Sequence, residues 1–170
     1  MNSVVLVLAS LGRFGFLHSL TASLAAKRTA RRAAGQHASD GLYRLLYNMF
    51  SAITVLPPFA LALLLPDGPL LWKIPLPVLF LTVPLQLASV FGMALSLWRV
   101  DLPRFLGLRQ VARWARGEAD PRDPPVLKTD GIHGWVRHPL YFFSLVVLWL
   151  LPVMTPNRLA LTVGVHLYFW

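Results

Sequence analysis

The chain has 170 residues, 56% of them hydrophobic and only 14% charged, with a formal net charge of +9. A soluble domain carries about 25% charged residues, so this composition, with a mean hydropathy of +0.58, describes an integral membrane protein forming one membrane domain over residues 1–170. The lack of cysteine excludes disulfides, thiolate metal sites and cysteine nucleophiles. The cations gather in two stretches between apolar runs rather than in an aromatic-interleaved patch, which argues for the lipid bilayer and against nucleic acid as a partner.

The first apolar run covers about 3–26, with Arg13 and His18 inside it. A cleavable signal peptide carries its cations ahead of the apolar stretch. Here Lys27, Arg28, Arg31 and Arg32 follow it, which predicts an uncleaved membrane helix. Ionisable residues inside such a run mark functional positions or interhelical bonds. Residues 33–41 read as a short polar connector. The second run, about 45–65, contains Pro57-Pro58, which should kink or interrupt it. Pro66-Asp67-Gly68-Pro69 is a turn signal. The third run, about 74–98, carries Pro75, Pro77 and Pro84, tolerated in membrane helices when neighbours satisfy the freed carbonyls. Asn48 and Gln86 read as interhelical hydrogen-bond glue.

Residues 99–138 form a long polar loop, in which Gly117–Pro125 reads as surface and not as a carboxylate metal site. Two further apolar runs, about 139–151 and 159–170, are each shorter than the roughly 17–25 residues that a span requires. They predict a tight helical hairpin. The expected fold is all-α and polytopic, with about three spanning helices plus this C-terminal hairpin. Cations in the stretches 27–44 and 99–138 outnumber the Lys73 and Arg158 of the other side, which places both basic loops in the cytoplasm and the N-terminus outside.

The polar loop meets the fourth apolar run at Gly134-Trp135-Val136-Arg137-His138-Pro139-Leu140-Tyr141. Proline suits the first turn of a helix and pushes the residue before it out of the α region. His138 should therefore be the N-cap, Pro139 the first helical residue and Tyr141 the third. Amides of that turn, with the helix dipole, favour an anionic group. Arg137 can grip a carboxylate through two bonds, and His138 can exchange a proton near neutral pH. Gly131 and Gly134 allow close backbone approach. A structural reading stands beside this one: Arg137 snorkelling, Tyr141 in an aromatic belt and Pro139 simply starting a helix.

The order Gly131-x-x-x-x-Val136-Arg137-His138-Pro139-x-Tyr141, within Leu127–Trp170, resembles the C-terminal core of the integral-membrane methyltransferases. These comprise the isoprenylcysteine carboxyl methyltransferases, the phospholipid methyltransferases and their bacterial relatives. Leu17–Ser23, Tyr43–Ser51 and Asp101–Gln110 are similar to the methanethiol S-methyltransferase-like bacterial branch, so the resemblance covers most of the chain. It implies S-adenosylmethionine as methyl donor at the cytoplasmic end of the last helices of a bacterial inner-membrane protein. Gly131, Arg137, His138, Pro139 and Tyr141 would then surround the cofactor, with Arg137 and the first-turn amides near its carboxylate. The acceptor would be a small thiol or a lipophilic, isoprenylcysteine- or lipid-like molecule.

On the same carry-over His138 and Arg137 are the catalytic residues. Either His138 or His133 would take the proton of a thiol acceptor. The family also carries an acidic pair in a cytoplasmic segment beyond its last helix. This sequence stops at Trp170 inside an apolar run, which reads as a fragment or a shortened relative without that segment. A second resemblance, through Arg137-His138-Pro139 ahead of an apolar run, is to a non-enzymatic membrane family associated with nitric oxide reductase operons. An inactive, truncated methyltransferase relative is the third alternative.

Overall fold

A computed structural model describes residues 2–118 and 131–170. Along the chain run α1 (Ser3–Ala22), α2 (Leu24–Ala34), α3 (Gln36–Leu64), β1 (Trp72–Lys73), α4 (Leu76–Arg99), α5 (Leu102–Leu106), α6 (Leu108–Ala115), α7 (Ile132–Trp135), α8 (Pro139–Trp149), β2 (Val153–Met154) and α9 (Pro156–Phe169). Helices α1, α3 and α4 are long and apolar enough to cross a membrane. At 1.5 Å per residue, about 20 residues match the hydrocarbon thickness. Phe16, Ile53, Leu64, Phe80, Leu81 and Leu87 are all exposed on them. Such a surface is a liability in water and the expected one against lipid tails. The protein is an all-α polytopic membrane protein.

Several boundaries differ from those of the apolar runs. The first run does not continue to residue 26. Ser23 stands between α1 and α2 with φ −63° and ψ 154°, and its hydroxyl accepts a bond from the Ala26 amide at 3.1 Å. A serine at this position ends one helix by capping the next. The connector at 33–41 is largely helical as well: α2 stops at Gly35, whose φ of +80° favours glycine, and α3 starts at Gln36, well ahead of residue 45. Pro57-Pro58 do not interrupt α3, although the missing amides leave the carbonyls of Ile53 and Thr54 without their helical donors. The polar loop 99–138 contains α5, α6 and α7 within its described part. Arg122, Lys128 and most of Gly117–Pro125 lie outside the described residues.

Backbone contacts gather the chain into two compact units: Met1–Gly12 with Pro57–Arg99 and Leu127–Trp170, and Arg13–Leu56 with Val100–Val126. In the first unit the main packing is α8 against α4. Thr82, Ser89, Gly92 and Ser96 form the buried, small-residue face of α4. A Cβ on Gly92 would stand 2.6 Å from the ring of Phe143, so the missing side chain is the space that this ring occupies. Gln86 donates to the carbonyl of Val147 at 3.1 Å, bridging the two helices as a polar side chain in an apolar span is expected to do.

Helices α8 and α9 form the expected hairpin. The end of α3, the start of α4 and the hairpin turn are tied by an antiparallel ladder, Trp72 opposite Met154 and Lys73 opposite Val153, which the apolar pattern did not reveal. Thr155 caps α9 and donates to Asp67 Oδ1 at 2.8 Å, and Asn157 donates to the carbonyl of Pro66. Further along α9, Gly164 lies directly against the side chains of Leu11 and Leu8, so the start of α1 also belongs to this unit.

In the second unit α5 and α6 form an elbow on the first part of α3. Asp101 caps α5 by accepting from the Arg104 amide, and Gly107 joins the two short helices with φ +95°. A Cβ at Gly107 would come within 2.5 Å of the Leu45 amide nitrogen, and one at Gly41 would overlap the side chain of Trp114. Asn48 donates to the Phe105 carbonyl at 2.8 Å and Arg44 to that of Arg104 at 3.2 Å. Asn48 therefore serves as interhelical glue, but toward α5 rather than another span.

Replacing Gly92 by Leu should lower stability by about 1–3 kcal/mol through overpacking against Phe143, read as a lower melting temperature in detergent. Gly107→Ala should lose at least about 1 kcal/mol, because it adds a steric clash to an unfavourable positive φ.

Candidate functional site

The strongest sequence motif maps onto the start of α8. His138 is its N-cap (φ −129°, ψ 74°), Pro139 occupies the first turn, and the Phe142 amide donates to the His138 carbonyl at 3.1 Å. Proline after His138 enforces the non-helical backbone there. The imidazole makes no capping bond, so it does not occupy the first-turn amides of Leu140 and Tyr141. Pro139 is buried, whereas Arg137 and His138 are exposed, and Arg137 makes no hydrogen bond or ion pair to a described residue. A guanidinium, an imidazole and two helix-start amides are thus adjacent in sequence, and among the described residues no side chain caps those amides and none bonds the guanidinium.

Tyr141 does more than line this place. Its ring stacks on His138 at 5.4 Å between centroids and 26° between planes, and on Phe169 at 4.2 Å and 8°. The ladder His138–Tyr141–Phe169 ties the first turn of α8 to the last turn of α9. Stacked aromatic pairs contribute about 0.5–1.5 kcal/mol beyond burial, enough to hold the exposed imidazole in a preferred orientation. Phe169 had no place in the motif, since a phenylalanine in an apolar helix carries no local signal of its partner.

Gly131 sits at the start of α7 with φ +58° and ψ −130°, a conformation open essentially to glycine alone. The guanidinium of Arg99, the last residue of α4, lies over it: a Cβ there would be 3.7 Å from Nη2. The fold therefore brings Arg99 to Gly131, a pairing the sequence did not reveal because Arg99 counted only toward loop charge. Gly134 and Trp135 are exposed on α7. The side chain of His133, the other histidine of this segment, lies outside the described residues.

A second polar place lies in the other unit, between α1 and α3. His18 Nδ1 stands 2.9 Å from Ser51 Oγ, and the Tyr47 hydroxyl approaches Nε2 at 2.8 Å and Nδ1 at 3.3 Å. Phe14 packs against the imidazole, with ring centroids 5.2 Å apart. One turn further on, the Tyr43 hydroxyl donates to the carbonyl of Thr21 at 2.5 Å. Hydroxyls both donate and accept, so this set can satisfy either tautomer of His18. The intramembrane histidine thus has the partners that hydrocarbon demands. The three upstream stretches that resemble known methyltransferases, Leu17–Ser23, Tyr43–Ser51 and Asp101–Gln110, either pack on α3 or form part of it.

No protein-family model matches the chain, and no solved structure matches it. Among curated proteins it is 28% identical over 160 residues to Nurim of Xenopus laevis, covering 91% of this chain and 54% of that protein. It is 26% identical over 170 residues to Methanethiol S-methyltransferase 1 of Bradyrhizobium diazoefficiens, covering 99% of this chain and 57% of that protein. The chain therefore spans a little over half the length of the curated relatives it matches. Together with the three spans, these similarities place it among integral membrane proteins.

Removing the Tyr47 hydroxyl (Tyr47→Phe) should cost about 0.5–1.5 kcal/mol, the value of one interhelical hydrogen bond. His18→Ala should cost more, since it removes the ring packed on Phe14 as well. Unfolding of the two variants and of the double variant in detergent would measure the coupling directly.

Proposed function

We propose that this chain is a membrane-embedded methyltransferase of the isoprenylcysteine carboxyl methyltransferase-like class, using S-adenosylmethionine and a small thiol or lipophilic acceptor. The observation that carries this reading is the start of α8, where Arg137, His138 and uncapped amides lie together at the end of an apolar helix. Similarity along the whole chain to a protein named for methanethiol S-methylation supports it. The residues present suit the cofactor chemically. A carboxylate matches the guanidinium of Arg137 and the first-turn amides, and a cationic sulfonium matches an aromatic ladder.

When bound, S-adenosylmethionine would supply an electrophilic methyl group to the nucleophilic atom of the acceptor, with the electron pair of the broken carbon–sulfur bond staying on the departing thioether. The protein's part is mostly positioning, which removes much of the barrier in such displacements. Arg137 and the α8 amides bind the carboxylate. His138, oriented by Tyr141, takes the proton that a thiol acceptor must lose. Gly131 gives the backbone before α7 its sharp turn, and Pro139 fixes where the helix starts. The site lies on the cytoplasmic side, because the basic stretches 27–44 and 99–138 face inward.

Purified protein, together with the longer chain where one exists, should bind S-adenosylmethionine and S-adenosylhomocysteine in titration calorimetry. His138→Ala, Tyr141→Ala and Arg137→Gln should each weaken binding at least tenfold without lowering the melting temperature by more than a few degrees. Binding that is absent from the folded wild type, or unchanged in these variants, overturns the proposal and favours a non-catalytic membrane protein. Once the expected binding is seen, addition of methanethiol, longer alkyl thiols or an isoprenylcysteine identifies the acceptor.

A further inference from the structure

Helix α2 is an unusual element for its position. It has eleven residues, shorter than the about 12–15 at which isolated helices become marginal in water, and nine of them are exposed. Only Ala26 and Ala30, one turn apart, are half-buried. Its polar side-chain attachments among the described residues are the Ser23 cap and one ion pair, in which Arg31 bonds to Asp40 at 2.8 Å. Lys27, Arg28, Arg31 and Arg32 fall at i, i+1, i+4 and i+5, so they share one face. No acidic residue lies in the helix.

The charge balance of this unit sharpens the point. Its described residues hold ten Lys and Arg side chains against three carboxylates, and each carboxylate already has an arginine: Asp40 with Arg31, Asp101 with Arg109 and Glu118 with Arg116. The hydrogen bond from Arg116 holds the Glu118 carboxyl below its ordinary range, so that pair stays ionised. Lys27, Arg28 and Arg32 have no acidic partner among the described residues. Arg28 only returns a bond to the Leu24 carbonyl.

Position settles what kind of anion fits. Helix α1 crosses hydrocarbon and ends at Ala22, and α2 begins at Leu24. A helix separated from a span by one residue lies at the membrane surface, where lipid headgroups are the nearest anions. We propose that α2 is a docking face for anionic phospholipid headgroups, held through Lys27, Arg28 and Arg32, with Arg31 anchoring the helix to α3 through Asp40. A basic segment directly following a span gains about fivefold in association for each cation near an anionic surface. This proposal does not depend on the methyltransferase reading.

The test uses the full chain, purified in neutral detergent and supplied with dioleoyl phosphatidylglycerol or dioleoyl phosphatidylcholine in mixed micelles. Phosphatidylglycerol should raise the melting temperature and be co-retained on gel filtration, phosphatidylcholine should do neither, and the difference should shrink with salt. The triple variant Lys27→Gln, Arg28→Gln, Arg32→Gln should keep the wild-type melting temperature in phosphatidylcholine. Its retention of phosphatidylglycerol should fall on the order of a hundredfold. Lys27→Arg should behave as wild type.

Equal retention of the two lipids, or full retention of phosphatidylglycerol by the triple variant, overturns the proposal. So does loss of retention only when Arg109 and Arg113 of α6 are neutralised, and so does an equal stabilisation by inorganic phosphate or by RNA. If the triple variant does not fold, Arg32→Glu alone decides: it should lower phosphatidylglycerol retention more than tenfold, and unchanged retention refutes the idea.

Discussion

Inside hydrocarbon every backbone N–H and C=O must find its partner within the chain, and apolar helix surfaces gain nothing by leaving lipid for one another. The spans of this protein are therefore held by close approach and by a few polar bonds. Among the described residues, several close approaches have a glycine at their centre. Gly92 receives the ring of Phe143, Gly41 the side chain of Trp114, Gly107 the backbone of Leu45, and Gly164 the side chain of Leu11. Polar bonds add to these contacts: Gln86 to Val147 between α4 and α8, Asn48 to Phe105 between α3 and α5, and His18 with Tyr47 and Ser51 between α1 and α3.

The candidate site inherits its geometry from that arrangement. Phe143, the residue that fills the space over Gly92, lies one turn beyond the start of α8, so the packing of α8 on α4 fixes where Arg137, His138 and the first-turn amides are presented. The stack from His138 through Tyr141 to Phe169 adds a second anchor, from the far end of the hairpin. A helix start held from two sides presents these groups in a defined geometry that a loop would not. The polar groups at the start of α9 have a different task. Thr155 and Asn157 bind Asp67 and the Pro66 carbonyl, holding the hairpin turn against the connector that follows α3.

Much of the fold was legible in the residues themselves. Apolar runs of span length located α1, α3 and α4, two runs too short to span located the hairpin, and His138-Pro139 located the start of α8 within one residue. Other features were not. Helix α2 was hidden because its four cations read as a basic loop after the first apolar run, although alanine, lysine and arginine all favour helix. The prolines at 57 and 58 suggested a break, yet α3 continues through them, since a membrane helix has no better alternative for its backbone than to stay helical.

The chain by itself determined the features that composition and local stereochemistry dictate: a membrane location, the number of spans, and a proline-set helix start carrying Arg137 and His138. The tertiary structure alone decided the pairings. Phe169 reaches Tyr141, Arg99 covers Gly131, Tyr47 and Ser51 bracket His18, and Trp72–Lys73 pair with Val153–Met154. These contacts join residues far apart in sequence through side chains of ordinary type. Local pattern records which face of a helix is apolar or small; it carries no record of which distant helix will press against that face.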